Sequence, residues 1–310
     1  MRASVVDRDG QLLAREEIDT APRRGIEDAG QRLAQLLVNV ADSADVRSVA
    51  GVGVSTAGPL NPESGTYLYP PNLPGWHNKS MKPVLERELE LPVKVGHDAT
   101  LAAFAETRFG PHRGTRNLVY VTISTGVGGG IIANGRMVTG ANGGAGEVGH
   151  ITVRPGGRGC NVGCDGCFEG NASGPAIAAI ARERLRTIQS STLRDRVSGD
   201  LDKLDAPMVF EEAAIGDVIA NAVVKEVIDT VGIGLGSLLN ILEPEALLVG
   251  GGVSEGLRRH WLEVDAAVRR HSLPRYRDGA PIAITTLGDD ASLLGAAALV
   301  FADQTMQDSG

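Results

Sequence analysis

A chain of 310 residues is too long for a single small core, so one large or two medium domains are expected. With 42% hydrophobic and 22% charged residues it has an ordinary globular composition, and a net charge of −8 argues against a nucleic-acid surface, which needs clustered Lys and Arg. No apolar run approaches the roughly 20 residues of a membrane-spanning helix and no basic-then-apolar leader opens the chain, so the expected location is the cytoplasm, where thiols stay reduced.

In chain order, residues 3–6 read as a strand, 7–10 as a hairpin turn and 11–14 as the return strand. Residues 24–40 carry apolar side chains at helical spacing, through Ile26, Leu33, Leu36, Leu37 and Val40. A buried strand over 48–54 runs into Ser55-Thr56-Ala57-Gly58-Pro59, a loop at a strand's C-terminal end, where open α/β sheets bind ligands. After a loop-rich stretch, Ser80 is expected to cap a helix ending at Leu89. Residues 91–95 read as a strand, and Asp98 opens a helix over 99–109.

The second half begins with a strand over 118–124, the glycine run 126–130, a strand over 131–133, an Asn134-Gly135 turn and a return strand over 136–138. Ser173 is expected to cap a helix with Pro175 in its first turn. Residues 189–208 read as polar and irregular or as short helix, 215–242 as a long apolar helix, and 246–249 as a strand into Gly250-Gly251-Gly252. A helix over 257–270, a strand over 282–285 and a closing helix over 291–300 follow. Residues 3–13 and 130–138 resemble one another as strand–turn–strand units; the second copy is preceded by a strand and a glycine turn, the first by nothing.

Four groups of residues could carry chemistry. Asp98, straight after a strand and at a helix start, is either a helix cap or a general base. The glycine run at Thr125 to Gly130 is a tight hairpin or a set of backbone N–H groups for phosphate; it lacks the Lys-Ser/Thr of a Walker loop. The Gly250–Gly252 run is a strand–helix turn or a place where a nucleotide passes close. The fourth group is the densest. All three cysteines, Cys160, Cys164 and Cys167, fall within eight residues, with His150 ten residues ahead. Free buried thiols and a redox pair are the alternatives to a structural zinc held by three thiolates and one imidazole. Glu147 and Glu169 bracket this set and are either surface carboxylates or acceptors for vicinal hydroxyls of a small polyhydroxy ligand.

These residues resemble the ROK family, which joins bacterial sugar kinases and sugar-responsive repressors, over nearly the whole chain. The family pattern is Glu-x-Gly-His, nine residues, then Cys-x-Cys-Gly-x-x-Gly-Cys-x-Glu. Glu147, Gly149, His150, Cys160, Gly163, Gly166, Cys167 and Glu169 fall on it. Val162 stands where the middle cysteine belongs, so Cys164 is expected to swing in as the third thiolate. Gly58-Pro59 and Asn72-Leu73-Pro74-Gly75-Trp76 look like the sugar-side loops, and His97-Asp98-Ala99-Thr100 resembles an Asn-Asp-Ala-Asn segment.

The resemblance implies an α/β, actin-like ATPase fold (ribonuclease H-like) of two lobes with an interlobe cleft. The lobes are expected at 1–116, completed by 290–310, and at 117–289. It implies an ATP-dependent kinase for a hexose, glucose to glucose 6-phosphate, with Mg2+ and a structural Zn2+ on His150, Cys160, Cys164 and Cys167. Asp98 is the implied catalytic base, and Gly58, Asn72, His97, Asp98, Glu147, His150 and Glu169 the implied sugar contacts. His97 replaces the family's asparagine. Thr125, Gly126, Gly128 and Gly129, with Gly250, Gly251 and Gly252, are the implied nucleotide contacts, and a homo-oligomer (dimer or tetramer) is expected. Family kinases open with a strand bearing Asp-x-Gly-Gly-Thr, and this sequence starts downstream of that motif. A mis-called start codon or a truncated record is the expected explanation; if the chain is genuine as written, sugar binding with weak or no kinase activity is expected. The alternatives are such a sugar-binding remnant and a sugar-responsive transcriptional regulator, whose helix-turn-helix segment is absent from the sequence.

Overall fold

The computed structural model describes residues 1–46, 48–70, 73–188, 190–276 and 279–302 in full, and 303–307 as backbone. Asp7 sets the first reversal. Its Oδ1 accepts from the amides of Asp9 (3.0 Å) and Gln11 (2.8 Å), folding β1 (Arg2–Val6) back on β2 (Leu12–Glu17) as an antiparallel pair. α1 (Ile26–Ser43) follows, with Glu27 and Asp28 favourably placed in its first turn and Leu33, Leu36 and Val40 buried on one stripe. β3 (Val52–Thr56) starts four residues later than the apolar run suggests, because its partner limits it: Val52 registers with Val93 of β6 (Val93–His97), in parallel. Between them lie the short antiparallel pair β4 (Leu60–Asn61) and β5 (Thr66–Tyr67) and the helix α2 (Lys82–Leu89).

Met81, not Ser80, is the N-cap of α2. The Ser80 hydroxyl accepts from the Lys82 amide at 3.2 Å and donates to the Ser64 carbonyl at 2.8 Å, so it ties the preceding loop to the helix. α3 (Asp98–Arg108) is buried from Ala99 to Thr107. It packs against the last helix, α11 (Ala291–Gln307).

A five-stranded sheet has the order β11-β10-β7-β8-β9, with β7 at Leu118–Ile123, β8 at Val127–Ala133, β9 at Arg136–Met137, β10 at Ala246–Gly250 and β11 at Ile282–Ile284. β8 begins at Val127, so Gly128, Gly129 and Gly130 are strand residues and only Ser124–Gly126 turn. The intervening helices are α4 (Phe168–Ala172), α5 (Gly174–Leu185), α6 (Thr192–Arg196), α7 (Ala206–Ala214), α8 (Val218–Leu242), α9 (Gly252–Leu257) and α10 (Trp261–Arg270). Ser173 caps α5, its Oγ accepting from the Ala176 amide. α7 begins inside the stretch expected to be irregular. Asp205 caps it by accepting from the Met208 amide at 2.9 Å, and Pro207 sits in the first turn where its missing N–H is harmless. The helix expected over 257–270 starts later: Leu257 ends α9, Arg258–His260 is a 3-10 turn, and α10 runs from Trp261 to Arg270.

The chain divides into two compact units. The first holds Met1–Arg116, Gly130–Gly146 and Asp289–Gly310, the second Asn117–Gly129 and Glu147–Gly288. The boundary at 116/117 is the expected one, but Gly130–Gly146 and Asp289 group with the first unit. One core is built on α1, β3 and β6, and the other on α5, α7, α8, α10 and the strands β7 and β10. Among the described residues no helix is long and apolar enough to cross a membrane.

Candidate functional site

The second unit contains a Cys3His cluster. The ligand atoms of His150, Cys160, Cys164 and Cys167 all lie within 4.8 Å of one another. His150 Nδ1 is 3.2 Å from Cys164 Sγ and 3.6 Å from Cys160 Sγ, and the two sulfurs are 2.9 Å apart. Cys164 thus occupies the third thiol position, while Val162 is 63% exposed. Local structure brings the ligands in from three places. His150 ends a 3-10 turn at Val148–His150, Cys160 and Cys164 belong to the loop that follows, and Cys167 is the N-cap of α4, its Sγ accepting from the Gly170 amide at 3.3 Å.

The electrostatics of the thiols favour a cation. Burial raises Cys160, but hydrogen bonds from Cys164 and nearby backbone outweigh it and bring the thiol down to about 7. Burial and competition with both neighbouring thiols push Cys164 up to about 12. Several thiolates this close ionise together only when a divalent ion balances them. Three sulfurs and one imidazole in this spacing fit a tetrahedral zinc site.

The imidazole has two working faces. With Nδ1 on the thiols, Nε2 points at Glu147, 3.7 Å from Oε2. A ring held by metal at one nitrogen keeps its proton on the other, where it donates to an oxygen. Glu169 lies in the first turn of α4, and its Oε2 accepts from the Val127 amide at 3.0 Å. That bond ties Glu169 to the β7–β8 turn, and a Cβ at Gly126 would stand 2.6 Å from the same oxygen, so a larger residue there would push the Glu169 carboxylate aside. Sequence spacing gave no sign of this contact between residues 42 apart.

The cysteine loop is also braced by residues with no sequence signal. Arg154 and Arg184 both pair with Glu226 of α8, Arg184 at 2.6 Å. Asn171, 1% exposed, donates to the carbonyls of Arg158 (2.8 Å) and Cys167 (2.7 Å). Burial raises the Glu226 carboxyl, but the Arg184 and Arg154 hydrogen bonds outweigh it and hold it below the usual carboxylate range. A group with a depressed folded-state pKa contributes stability above its unfolded value and loses it as pH falls. The difference in thermal midpoint between wild type and Glu226→Gln is therefore expected to be largest at pH 7 and to shrink as pH falls below the ordinary glutamate value of about 4.3 and through the depressed folded-state value, as read by calorimetry across pH.

At the other glycine run, Gly250 ends β10, Gly251 adopts φ +88° and Gly252 opens α9 with open space where a Cβ would go. Gly251 needs that left-handed backbone to turn strand directly into helix. Thr125, at the β7–β8 turn, is exposed.

In the first unit, His97 ends β6 and Asp98 opens α3. The N-cap position is taken by His97, whose side chain makes no capping bond. Asp98 Oδ1 accepts from the Ala99 amide at 2.7 Å and lies 3.3 Å from His97 Nε2. The carboxylate is 43% exposed against 17% for His97, so it remains open to a ligand. Gly58 lies in the turn between β3 and β4. Asn72 falls outside the described residues. Trp76, of the same expected loop, is a core residue, 2% exposed, edge-on to Tyr67 and donating to the Pro22 carbonyl.

The model of the ROK family matches residues 1–303. The chain is 36% identical to a glucokinase of Halalkalibacterium halodurans, over 97% of this chain and 92% of that one. A crystal structure of a ROK family glucokinase from Streptomyces griseus in complex with glucose and AMPPNP aligns with a TM-score of 0.81 at 32% identity, covering 96% of this chain and 95% of that one. An N-acetylglucosamine repressor of Escherichia coli is 28% identical over 96% of this chain and 71% of its own length. The fold is therefore the α/β, actin-like ATPase fold of the ROK glucokinases. On the family match and this identity, the chain belongs to the ROK family.

Proposed function

We propose that the protein is an ATP-dependent hexose kinase that converts glucose to glucose 6-phosphate. The observation that carries the sugar-site reading is the His150 ring, shared between the thiols at Nδ1 and Glu147 at Nε2. It joins a metal-fixed donor to an adjacent acceptor, the pairing that vicinal hydroxyls require. The residues proposed to contact the sugar are Glu147, His150 and Glu169, together with Asp98, His97, Gly58 and Asn72, of which Asn72 lies outside the described residues. Thr125, Gly126, Gly128 and Gly129, and Gly250, Gly251 and Gly252, approach ATP, which arrives with Mg2+. Since Gly128 and Gly129 spend their backbone in β8, Thr125 and Gly126 are the members with turn amides to offer.

His150, Cys160, Cys164 and Cys167 would hold zinc, which would fix the shape of the loop. The sugar hydroxyl oxygen forms a bond to the γ-phosphorus as the bond from that phosphorus to the β-phosphate oxygen breaks. The hydroxyl proton passes to Asp98, and ADP leaves. Positioning and charge balance supply most of the rate.

Hexose-dependent ADP release, with glucose, mannose, fructose and N-acetylated hexoses compared, tests the reading, together with calorimetric titration of each sugar. Glucose is expected to bind and to give the highest kcat/KM. Absence of hexose binding overturns it. Release of ADP with none of the sugars, combined with sugar-dependent binding to upstream DNA, would transfer the protein to the regulator branch represented by the Escherichia coli repressor.

A further inference from the structure

Lysine is scarce in this chain, with five among 310 residues, yet Lys82 and Lys94 line one cavity of about 290 Å³. Every residue around that cavity belongs to the first unit. One side of it is the edge of β6. Among the described residues β6 has β3 as its one strand neighbour, and residues 94–97 line the cavity in succession, so the strand meets it edge-on. Leu60, Val95, Leu101, Met137 and Leu299 give the space apolar walls.

The charges in the lining are one-sided. Two ammonium groups stand against one carboxylate, that of Glu63, which is exposed; His97 is the remaining titratable group. Lys82 is partly engaged, since its Nζ donates to the Glu63 carbonyl at 3.2 Å and lies 3.8 Å from Glu86 Oε1. Lys94 is half-buried, in the strand between the core residues Val93 and Val95. Burial, and after it the charge of Lys82, holds its ammonium below the usual lysine value. An anion beside the two lysines offsets that repulsion. The volume admits roughly ten non-hydrogen atoms, at about the 30 Å³ that one water takes in the liquid. Apolar walls would leave the hydroxyls of a sugar or sugar phosphate unpaired. An acid group on a hydrocarbon body suits both the lysines and the walls.

We propose that this cavity binds a small amphipathic carboxylate, its acid group on Lys94 and Lys82 and its hydrocarbon body against Leu60, Leu101 and Leu299. The site shares only His97 with the residues proposed to contact the sugar. Thr100 and Leu101, in the first turn of α3, also line it, so an occupant touches both the strand and the helix that meet at Asp98. Binding there does not depend on the kinase reading.

Calorimetric titration of the full chain with octanoate tests this, with octanol and inorganic phosphate then offered as competitors. Octanoate is expected to bind saturably, one per chain, with a Kd of about a millimolar or tighter, the reach of so small a ligand. Each competitor should need at least about tenfold more than octanoate itself to displace it, since octanol lacks the charge and phosphate the apolar body. Lys94→Met and Lys82→Met keep an apolar stem and drop the charge. Each should weaken octanoate by about tenfold, while glucose binding, which tests the kinase reading separately, stays as in the wild type. Absence of saturable octanoate binding overturns the proposal. So does displacement by octanol at equal concentration, which would mean apolar contact alone, or by phosphate, which would mean a site for bare anions. Octanoate binding untouched by both substitutions also overturns it, because the acid would then sit elsewhere.

Discussion

Asp98→Asn is expected to leave glucose affinity within about twofold of wild type while lowering kcat by roughly 10²- to 10⁴-fold, the usual contribution of a positioned general base. The substitution isolates one property. Asparagine keeps a side-chain oxygen where Asp98 Oδ1 accepts from the Ala99 amide, so the start of α3 is preserved. It also keeps a polar group at the position proposed to meet the sugar. What it loses is the capacity to take a proton. If Asp98 were only a local tie for the helix, kcat would be unchanged and the thermal midpoint would carry any effect. Steady-state kinetics, calorimetric titration of glucose and thermal unfolding on the same preparation separate the two, and unchanged turnover ends the base assignment.

Cys164→Ser is the second large effect expected. It removes the thiol that replaces the missing ligand at Val162, and with it one of four donors lying within 4.8 Å of each other. Metal content should fall from one zinc per chain towards none. Structural zinc sites contribute on the order of 10 kcal/mol of apparent binding energy to the folded state, so the thermal midpoint should drop by at least about 5 °C. Glucose affinity should weaken in parallel, by roughly 10- to 100-fold, because His150 loses the partner that fixes its tautomer and orientation. Chelation of the wild type should reproduce the same changes, and added zinc should reverse them. Wild-type protein free of zinc yet unaltered in glucose affinity would refute the metal's role in shaping the sugar site. The serine variant's loss of metal without loss of affinity would place the sugar elsewhere.

Local chemistry was legible wherever it is decided within a few residues. The turn at Asp7, the caps at Ser173 and the strand–glycine–helix passage at Gly250–Gly252 follow from hydrogen-bonding reach and backbone sterics. They stand in the structure where residue order places them. The cap on α7 was equally available, in Asp205-Ala206-Pro207, but the polar stretch before it masked the signal. Ser80 misled for another reason: its hydroxyl does accept from the Lys82 amide while donating to a loop carbonyl 16 residues earlier, but the helix begins one residue later, which puts Met81 at the cap.

By itself the amino-acid order determined the clustering of Cys160, Cys164 and Cys167, the placing of Asp98 at a strand–helix junction, and the kinship of residues 3–13 with 130–138, because each depends on spacing along one short segment. Tertiary structure decided the rest. It set the limits of β3 through its register with β6, directed Nδ1 of His150 to the thiols and Nε2 to Glu147, and joined Glu169 to Val127. It also brought Arg154, Arg184 and Glu226 together. These are pairings between groups tens of residues apart, whose partners are chosen only when the core closes and burial makes every unpaired polar group expensive.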